Sequence, residues 1–223
     1  VWDVPSGRLR HELTVAAGGP TDPGATALAV AFVPGGTRLA TAHQDGRLRV
    51  WDAADGRLVH DALAHPGGAL SLAVAPGGDR LATGGADHAV RLWDAAGWQL
   101  AGTHEGHRGW VVSLAFDPTG RVLASGSKDQ TVRLWADPGR DPRTLLGHTH
   151  WPYSLAFSPD GRTLATGTAD RMSNVPGEVK LWDPATGRAL LTLPGQGGPV
   201  GFADGGAALL TADLAGRAFL SRP

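Results

Sequence analysis

Cysteine is absent from this chain of 223 residues, and methionine and tyrosine occur once each. Without cysteine the protein forms neither disulfides nor thiolate metal sites, although this absence does not fix a redox compartment. Basic residues are not in excess, since the net charge is -1, so we expect neither nucleic acid nor an anionic membrane as the main partner. No apolar run approaches the ~18 residues of a membrane span, and no signal peptide is visible. We therefore expect a cytoplasmic protein.

Glycine and proline are abundant, with 33 and 16 residues, as expected for short strands joined by tight turns. Residues 106–136 show this pattern most clearly. Three segments alternate apolar and polar side chains and are separated by turn residues: Trp110 to Phe116, Val122 to Ser125 and Thr131 to Trp135. A period of two interrupted by Pro, Gly and Asp predicts antiparallel strands. No helical period and no glycine-rich phosphate loop is found, which argues against the usual nucleotide chemistry.

The same unit returns along the chain and closes each time on a tryptophan, which is followed by Asp in four of the five copies. These tryptophans are Trp2, Trp51, Trp93, Trp135 and Trp182, separated by 49, 42, 42 and 47 residues. An Asp stands six residues before three of them, at Asp45, Asp87 and Asp129. Self-similarity at this spacing predicts a repeat fold. With these motifs the chain resembles the WD40 repeat family over almost its whole length.

The resemblance implies an all-β, WD40-type β-propeller with four antiparallel strands per blade. Four full blades are predicted at residues 25–63, 69–103, 110–146 and 152–193, with incomplete blades at 1–14 and 198–221. The fourth repeat has an insertion at residues 171–177. Residues 1–14 are interpreted as the third and fourth strands of a blade, although 8–14 could instead complete the last one.

We interpret residues 1–223 as one propeller domain, the C-terminal part of a longer protein. If the parent has about seven blades, about two repeats are missing upstream. The Ala-, Gly-, Arg- and Asp-rich composition suggests a GC-rich bacterial source. Similar bacterial proteins often join such arrays to kinase or other signalling domains.

A histidine, a hydroxyl, an aspartate and the closing tryptophan recur in three repeats, and the resemblance implies that they form the structural tetrad of the family. The predicted tetrads are His65, Thr83, Asp87 and Trp93; His107, Ser125, Asp129 and Trp135; and His148, Thr166, Asp170 and Trp182. The first repeat keeps Thr41, Asp45 and Trp51 but has no histidine for this set, so we expect its tetrad to be incomplete.

The same residue types also suggest a hydrolase triad. A catalytic triad occurs once per site, whereas this set recurs with the repeat, so we expect it to satisfy buried polar groups instead. We predict no catalytic residues.

Two histidine pairs have spacings that suit a metal clip, His104 with His107 and His148 with His150. Zinc sites need three or four convergent ligands with supporting partners, and His107 and His148 are already assigned to tetrads. We expect no metal and no cofactor.

The predicted partner-binding residues lie where the resemblance places the mouth of the central channel: Trp110, Val112, Lys128, Trp151, Tyr153 and Met172. Clustered aromatics are typical of binding hot spots. The alternative is that Trp110 and Trp151 pack beneath neighbouring loops, since large aromatics are often mostly buried. The other repeats offer smaller residues there, so the predicted patch is one-sided.

We expect a non-catalytic scaffold that binds partner proteins or peptides on this loop face, with no small-molecule substrate. A propeller enzyme using the central channel is one alternative, but the starts of its inner strands hold Thr, Gly, Trp, Leu and Val rather than convergent acids or histidines. A structural spacer in a multidomain signalling protein is the other alternative.

Overall fold

The computed structural model describes residues 1–13, 26–136, 141–168, 177–195, 197–212 and 217–221. Within these ranges the chain forms antiparallel sheets and no α-helix. The predicted all-β fold, with four complete blades and two incomplete ones at the ends, is therefore confirmed. No helix in the described ranges is both long and apolar enough to cross a membrane.

The N-terminal sheet contains β1 (Trp2–Asp3) and β2 (Arg8–Leu9). Sheet 1 contains β3 (Ala27–Phe32), β4 (Arg38–His43), β5 (Arg47–Asp52) and β6 (Leu58–Leu63). Sheet 2 contains β7 (Ala69–Val74), β8 (Arg80–Gly85), β9 (Val90–Asp94) and β10 (Gln99–His104). Sheet 3 contains β11 (Val111–Phe116), β12 (Leu123–Ser127), β13 (Val132–Trp135) and β14 (Arg143–Leu145).

Sheet 4 contains β15 (Pro152–Phe157), β16 (Leu164–Thr168), β17 (Glu178–Asp183) and β18 (Arg188–Pro194). Sheet 5 contains β19 (Val200–Ala203), a 3-10 helix (Asp204–Gly206), β20 (Ala208–Ala212) and β21 (Ala218–Ser221). In every sheet each strand pairs with the next one in the chain. The first strands β3, β7, β11, β15 and β19 contact one another in that order, so we call them the inner strands.

The hydrophobic core lies between neighbouring sheets rather than inside any one of them. Leu48 and Val50 of sheet 1 are buried in one cluster with Leu81 and Trp93 of sheet 2. Equivalent clusters join sheets 2 and 3, sheets 3 and 4, and sheets 4 and 5. Because side chains of a strand alternate between its two faces, a sheet in the middle of the array buries both faces. Each sheet therefore depends on its neighbours for stability.

The inner strands of sheets 1 to 4 share an irregularity near their first residue. The pairing register shifts once in each strand, so one residue is left over against the neighbouring strand. The residues at these bulges are Leu28, Leu70, Val112 and Tyr153. A bulge re-aims side chains locally, and here it does so at the same end of four sheets. We call this end, which also holds the β4–β5, β8–β9 and β12–β13 turns, the rim.

The N-terminal sheet has the pairing register of the third and fourth strands of a blade. Trp2 lies opposite Leu9, just as Trp51 lies opposite Leu58 in sheet 1. Both pairs therefore place a tryptophan opposite the leucine seven residues later.

The N-terminal sheet lies against sheet 1, where the His11 ring Nε2–H donates to the Ala54 carbonyl oxygen at 2.6 Å. Among the described strands, β2 pairs with β1 and not with β21. The suggestion that residues 8–14 complete the last blade is therefore wrong for this structure. A short turn joins β1 to β2, so their pairing closes a much smaller loop than pairing of β2 with the far end of the chain would.

Candidate functional site

Sheets 2 and 3 each contain a hydrogen-bonded chain of four side chains, which we call a quartet. In sheet 3, His107 Nδ1 lies 2.9 Å from Asp129 Oδ2, and its Nε2 lies 2.7 Å from Ser125 Oγ. The Trp135 indole N–H donates to the same Ser125 oxygen at 2.8 Å. Sheet 2 repeats the chain with distances of 2.7, 2.8 and 2.9 Å, through Asp87, His65, Thr83 and Trp93 in that order.

The turn between β12 and β13 holds the sheet 3 aspartate in place. Asp129 accepts the backbone N–H of Thr131 at 3.0 Å and that of Arg108 at 2.8 Å. One carboxylate therefore joins the turn to the loop that enters the inner strand. Short polar side chains that bond backbone two residues ahead are a common way to fix a turn.

The donors and acceptors of the quartet match a neutral histidine. If Nδ1 carries the proton in sheet 3, the indole N–H donates to the hydroxyl, the hydroxyl donates to Nε2, and Nδ1–H donates to the carboxylate. Ser125, Thr83 and Thr166 have no exposed surface at all. A hydroxyl enclosed in this way cannot reach a substrate carbonyl, so the geometry favours a structural quartet over a hydrolase triad.

Burial lowers the pKa of His65 and of His148 below the ordinary value, although the carboxylates beside them act in the opposite direction. For Asp129, burial acts to raise the pKa, but hydrogen bonds from His107, Arg108 and Thr131 outweigh it and hold the pKa well below the ordinary 3.8. The folded state thus favours neutral histidine beside ionised carboxylate.

Sheet 4 contains the same chain with a different acid. His148 Nδ1 lies 3.0 Å from Glu178 Oε1 and its Nε2 lies 2.7 Å from Thr166 Oγ1, while Trp182 donates to Thr166 at 2.8 Å. Asp170, the acid that we predicted here, lies outside the described residues. The sequence did carry a signal for Glu178, which stands four residues before the closing tryptophan. Thr131 has the same place in sheet 3 and lies 3.3 Å from His107 Nδ1.

Sheet 1 lacks a loop histidine in its described part but contains a strand histidine that we did not single out. His43 Nε2 lies 2.8 Å from Thr41 Oγ1, which also accepts the Trp51 indole N–H at 2.8 Å. His43 is buried, with 3% of its surface exposed. Asp45 instead accepts from Arg49 Nη2 at 2.6 Å. The available signal was a histidine two residues after the strand hydroxyl.

Gly85 holds the place in sheet 2 that His43 holds in sheet 1, two residues after the strand hydroxyl. A Cβ at Gly85 would lie 2.2 Å from His65 Cγ, which is far inside van der Waals contact. In sheet 2 the loop histidine therefore needs an empty strand position. In sheet 1 a strand histidine reaches the hydroxyl instead.

On the rim, an aromatic and cationic cluster joins sheets 3 and 4. Lys128 Nζ lies 3.9 Å from the centroid of the Trp110 ring and 4.2 Å from that of Trp151. The Trp151 and Tyr153 rings meet edge to face, with centroids 6.0 Å apart. Trp110 and Tyr153 are 44% and 41% exposed, and Trp151 and Lys128 are half-buried. We call these four residues the Lys128 patch.

Equivalent backbone contacts locate the corresponding positions in other sheets. The Lys128 N–H donates to the Trp110 carbonyl at 2.9 Å; in sheets 1 and 2, Gln44 donates to Thr26 and Ala86 to Gly68, each at 3.0 Å. Val112, which we predicted to bind partners, is the half-buried bulge residue of β11. Met172 lies outside the described residues.

The members of the two histidine pairs have contacts of their own. The His104 ring stacks on Trp135 with centroids 4.7 Å apart, and burial lowers its pKa. His107 and His148 belong to quartets, and His150 Nδ1 lies 2.9 Å from Thr149 Oγ1. In the described part of the chain, no three His, Asp or Glu side chains are grouped as metal ligands.

A protein-family model described as WD domain, G-beta repeat matches four consecutive segments, residues 15–52, 56–94, 98–136 and 139–175. Together these segments cover more than half of the chain. The first three each contain one closing tryptophan, and the fourth ends inside the predicted insertion at 171–177. Comparison with curated proteins finds no match.

Proposed function

The chain belongs to the WD40 repeat family, and we propose that it is a non-catalytic scaffold that binds partner proteins or peptides on its rim. WD40 repeats commonly mediate protein–protein interactions. The proposal also assigns the protein to the cytoplasm and expects no nucleic acid, membrane or small-molecule substrate at this surface.

The observation that supports it best is the Lys128 patch. Two exposed aromatic side chains, Trp110 and Tyr153, lie beside a half-buried third, Trp151, on one side of the rim. Aromatic residues in partly enclosed positions dominate the energetics of binding surfaces, and contiguous exposed apolar area is uncommon on a surface without a partner. The patch spans two sheets, so its geometry depends on the fold and suits a partner that recognises the folded protein.

The non-catalytic part of the proposal rests on the quartets. Their hydroxyls are enclosed and each is bonded to both an indole and an imidazole. The hydroxyl, imidazole and carboxylate groups that could take part in catalysis are therefore engaged in hydrogen bonds of the quartets, which supports a structural role for them.

The test is selection of binding peptides from a phage-displayed random dodecapeptide library on the purified protein. We expect enriched peptides to bind the wild type and to lose at least about tenfold in affinity to the Trp110→Ala, Trp151→Ala double variant, because hot-spot truncations typically cost that much or more. The matched control is Leu63→Ala, Leu100→Ala, which removes side chains that are 60% and 50% exposed on the outer strands β6 and β10.

We expect the control variant to bind as the wild type does, and both variants to unfold near the wild-type temperature. Equal binding by the tryptophan variant and the wild type would refute the proposed surface. Failure to enrich any peptide that requires the folded protein would count against the proposed function itself.

A further inference from the structure

We propose that the Lys128 patch recognises an acidic segment of a partner protein. An Asp or Glu carboxylate of the partner pairs with the Lys128 ammonium, and an adjacent apolar side chain packs on Trp110 and Tyr153. This inference rests on the proposed function and adds the chemistry of the ligand.

In the part of the chain that the structure describes, the Lys128 ammonium is not paired with an acid. Among the described residues no carboxylate forms an ion pair with Lys128, whereas rim acids are used internally. Asp45 binds Arg49 at 2.6 Å, Asp87 binds Arg91 at 2.6 Å, and Glu178 binds Lys180 at 3.1 Å. Asp129, which follows Lys128 in the chain, accepts from His107 and from two backbone N–H groups instead. Among the described rim residues, Lys128 is thus a cation that forms no ion pair.

The aromatic rings hold the ammonium without using up its hydrogen bonds. An ammonium group has three N–H donors, and two ring faces at 3.9 and 4.2 Å attract its charge but are much weaker acceptors than a carboxylate. The rings also restrict the lysine side chain, so less rotamer freedom is lost when a ligand binds. A carboxylate is the partner that this arrangement lacks.

A cationic ligand fits the patch poorly. The place between the two indoles, where a lysine or arginine of a partner would lie, is already occupied by Lys128. Like charges in contact are unfavourable. A second cation, Arg108, is exposed in the loop between β10 and β11 and forms no ion pair among the described residues. Glu105 of the same loop forms no ion pair with Lys128 or Arg108. Two cations without an ion pair among the described residues therefore belong to this part of the rim, which favours an acidic segment.

The test is a double-mutant cycle between protein and peptide. Peptides enriched on the wild type are labelled with fluorescein, and their affinities are measured by anisotropy for the wild type, Lys128→Met and Lys128→Arg. Methionine keeps an unbranched apolar side chain between the indoles but removes the charge. The matched control is Arg121→Met, which removes an exposed cation at the opposite end of sheet 3.

We expect the enriched peptides to share an Asp or Glu next to an apolar residue. Lys128→Met should weaken their binding about tenfold, as expected for loss of a charge-assisted hydrogen bond, while Lys128→Arg and Arg121→Met should change it less than about threefold. Replacing the peptide acid by its amide should cause the same loss in the wild type and little further loss in Lys128→Met. Added salt should weaken binding of the acidic peptide more than binding of its amide.

Enriched peptides without an acid, or equal binding to the wild type and Lys128→Met, would overturn the acidic ligand. If the Trp110→Ala, Trp151→Ala variant still loses binding in that case, the proposed binding surface stands and only its ligand chemistry is wrong. If that variant also binds normally, both proposals fail. A short thymidine oligonucleotide or phosphatidylserine vesicles that displace the peptide at equal concentration would likewise overturn a protein ligand.

Discussion

At the rim, sheets 1 and 2 share the bulge of the inner strand with sheets 3 and 4, but the two pairs of sheets differ in their side chains. The backbone N–H of Gln44, Ala86 or Lys128 donates to the carbonyl at the start of its own inner strand in each case. In sheets 1 and 2 the accepting residues are Thr26 and Gly68, whereas Trp110 and Trp151 stand at these places in sheets 3 and 4. The repeat thus constrains the backbone and the quartet, while rim side chains are free to differ. The binding surface that we propose therefore lies where the side chains depart from the repeat.

The largest expected effect is a difference in unfolding free energy between variants of the strand-closing tryptophans and variants of the rim tryptophans. Trp182 is 2% exposed and packs in the core between sheets 3 and 4, so Trp182→Ala should lower the free energy of unfolding by about 3–5 kcal/mol. Trp110→Ala should lower it by less than about 1 kcal/mol, because the ring is largely exposed. Urea denaturation of both variants measures the difference. Similar losses would mean that the rim tryptophans are structural too.

The next effect concerns the quartet acid. Asp129→Ala leaves the His107 ring and two backbone N–H groups without their acceptor, and we expect a loss of about 1–3 kcal/mol in unfolding free energy. Asp79→Ala, which removes an exposed acid elsewhere on the array, should change it by less than about 0.5 kcal/mol. Thermal unfolding of the two variants gives the comparison. An unchanged melting temperature for Asp129→Ala would show that the quartet does not stabilise the fold.

Sheet 1 offers a way to sharpen the comparison among quartets. If His43 replaces the loop histidine in sheet 1, His43→Ala should lower the free energy of unfolding by about 1–2 kcal/mol, because the Thr41 hydroxyl loses one of its buried partners. The same truncation is already present in sheet 2 as Gly85, where the loop histidine fills the space. Denaturant unfolding of His43→Ala tests this. A neutral result would show that Thr41 and Trp51 suffice for sheet 1.

Acid should weaken the quartets of sheets 2, 3 and 4, and we expect a smaller loss of unfolding free energy for each group. The folded-state pKa values of His65 and His148 lie below 6.5, so the unfolded chain binds more protons and stability falls as pH drops below about 6.5. The pKa values of Asp87, Asp129 and Glu178 are also lowered, so their contribution is complete above about pH 4.5 and is lost at lower pH. Unfolding free energy measured from pH 8 to 3 should decline in these two steps. His65→Asn should make the upper step shallower, and a profile that rises on acidification would contradict the neutral-histidine quartet.

Much of the fold could be predicted from the sequence because turn residues, alternating apolar positions and closing tryptophans agree at every level. The predicted second blade at 69–103, for example, matches β7 to β10, which end at His104. The sequence predicted residues 1–14 as two strands of one blade but left open whether residues 8–14 would instead complete the last blade, since the alternation pattern does not specify which strands at the two ends of a repeat array will pair.

The site was less accessible from sequence for two physical reasons. The rim residues could be assigned by their repeat position. The position of the Lys128 side chain between two indoles, however, depends on how neighbouring sheets are placed, and the sequence period does not describe that placement. His43 was not anticipated because a side chain from the strand substitutes for one from the loop, and the repeat pattern assigns that function to a different position.

Nuclear magnetic resonance of the eight tryptophan indole N–H groups tests the central claim most directly, because those groups sample the quartets and the rim in one spectrum. On titration with an enriched acidic peptide, we predict that the Trp110 and Trp151 signals shift, whereas those of Trp51, Trp93, Trp135 and Trp182 do not. Shifts confined to the latter four tryptophans, with the Trp110 and Trp151 signals unchanged, would contradict this claim.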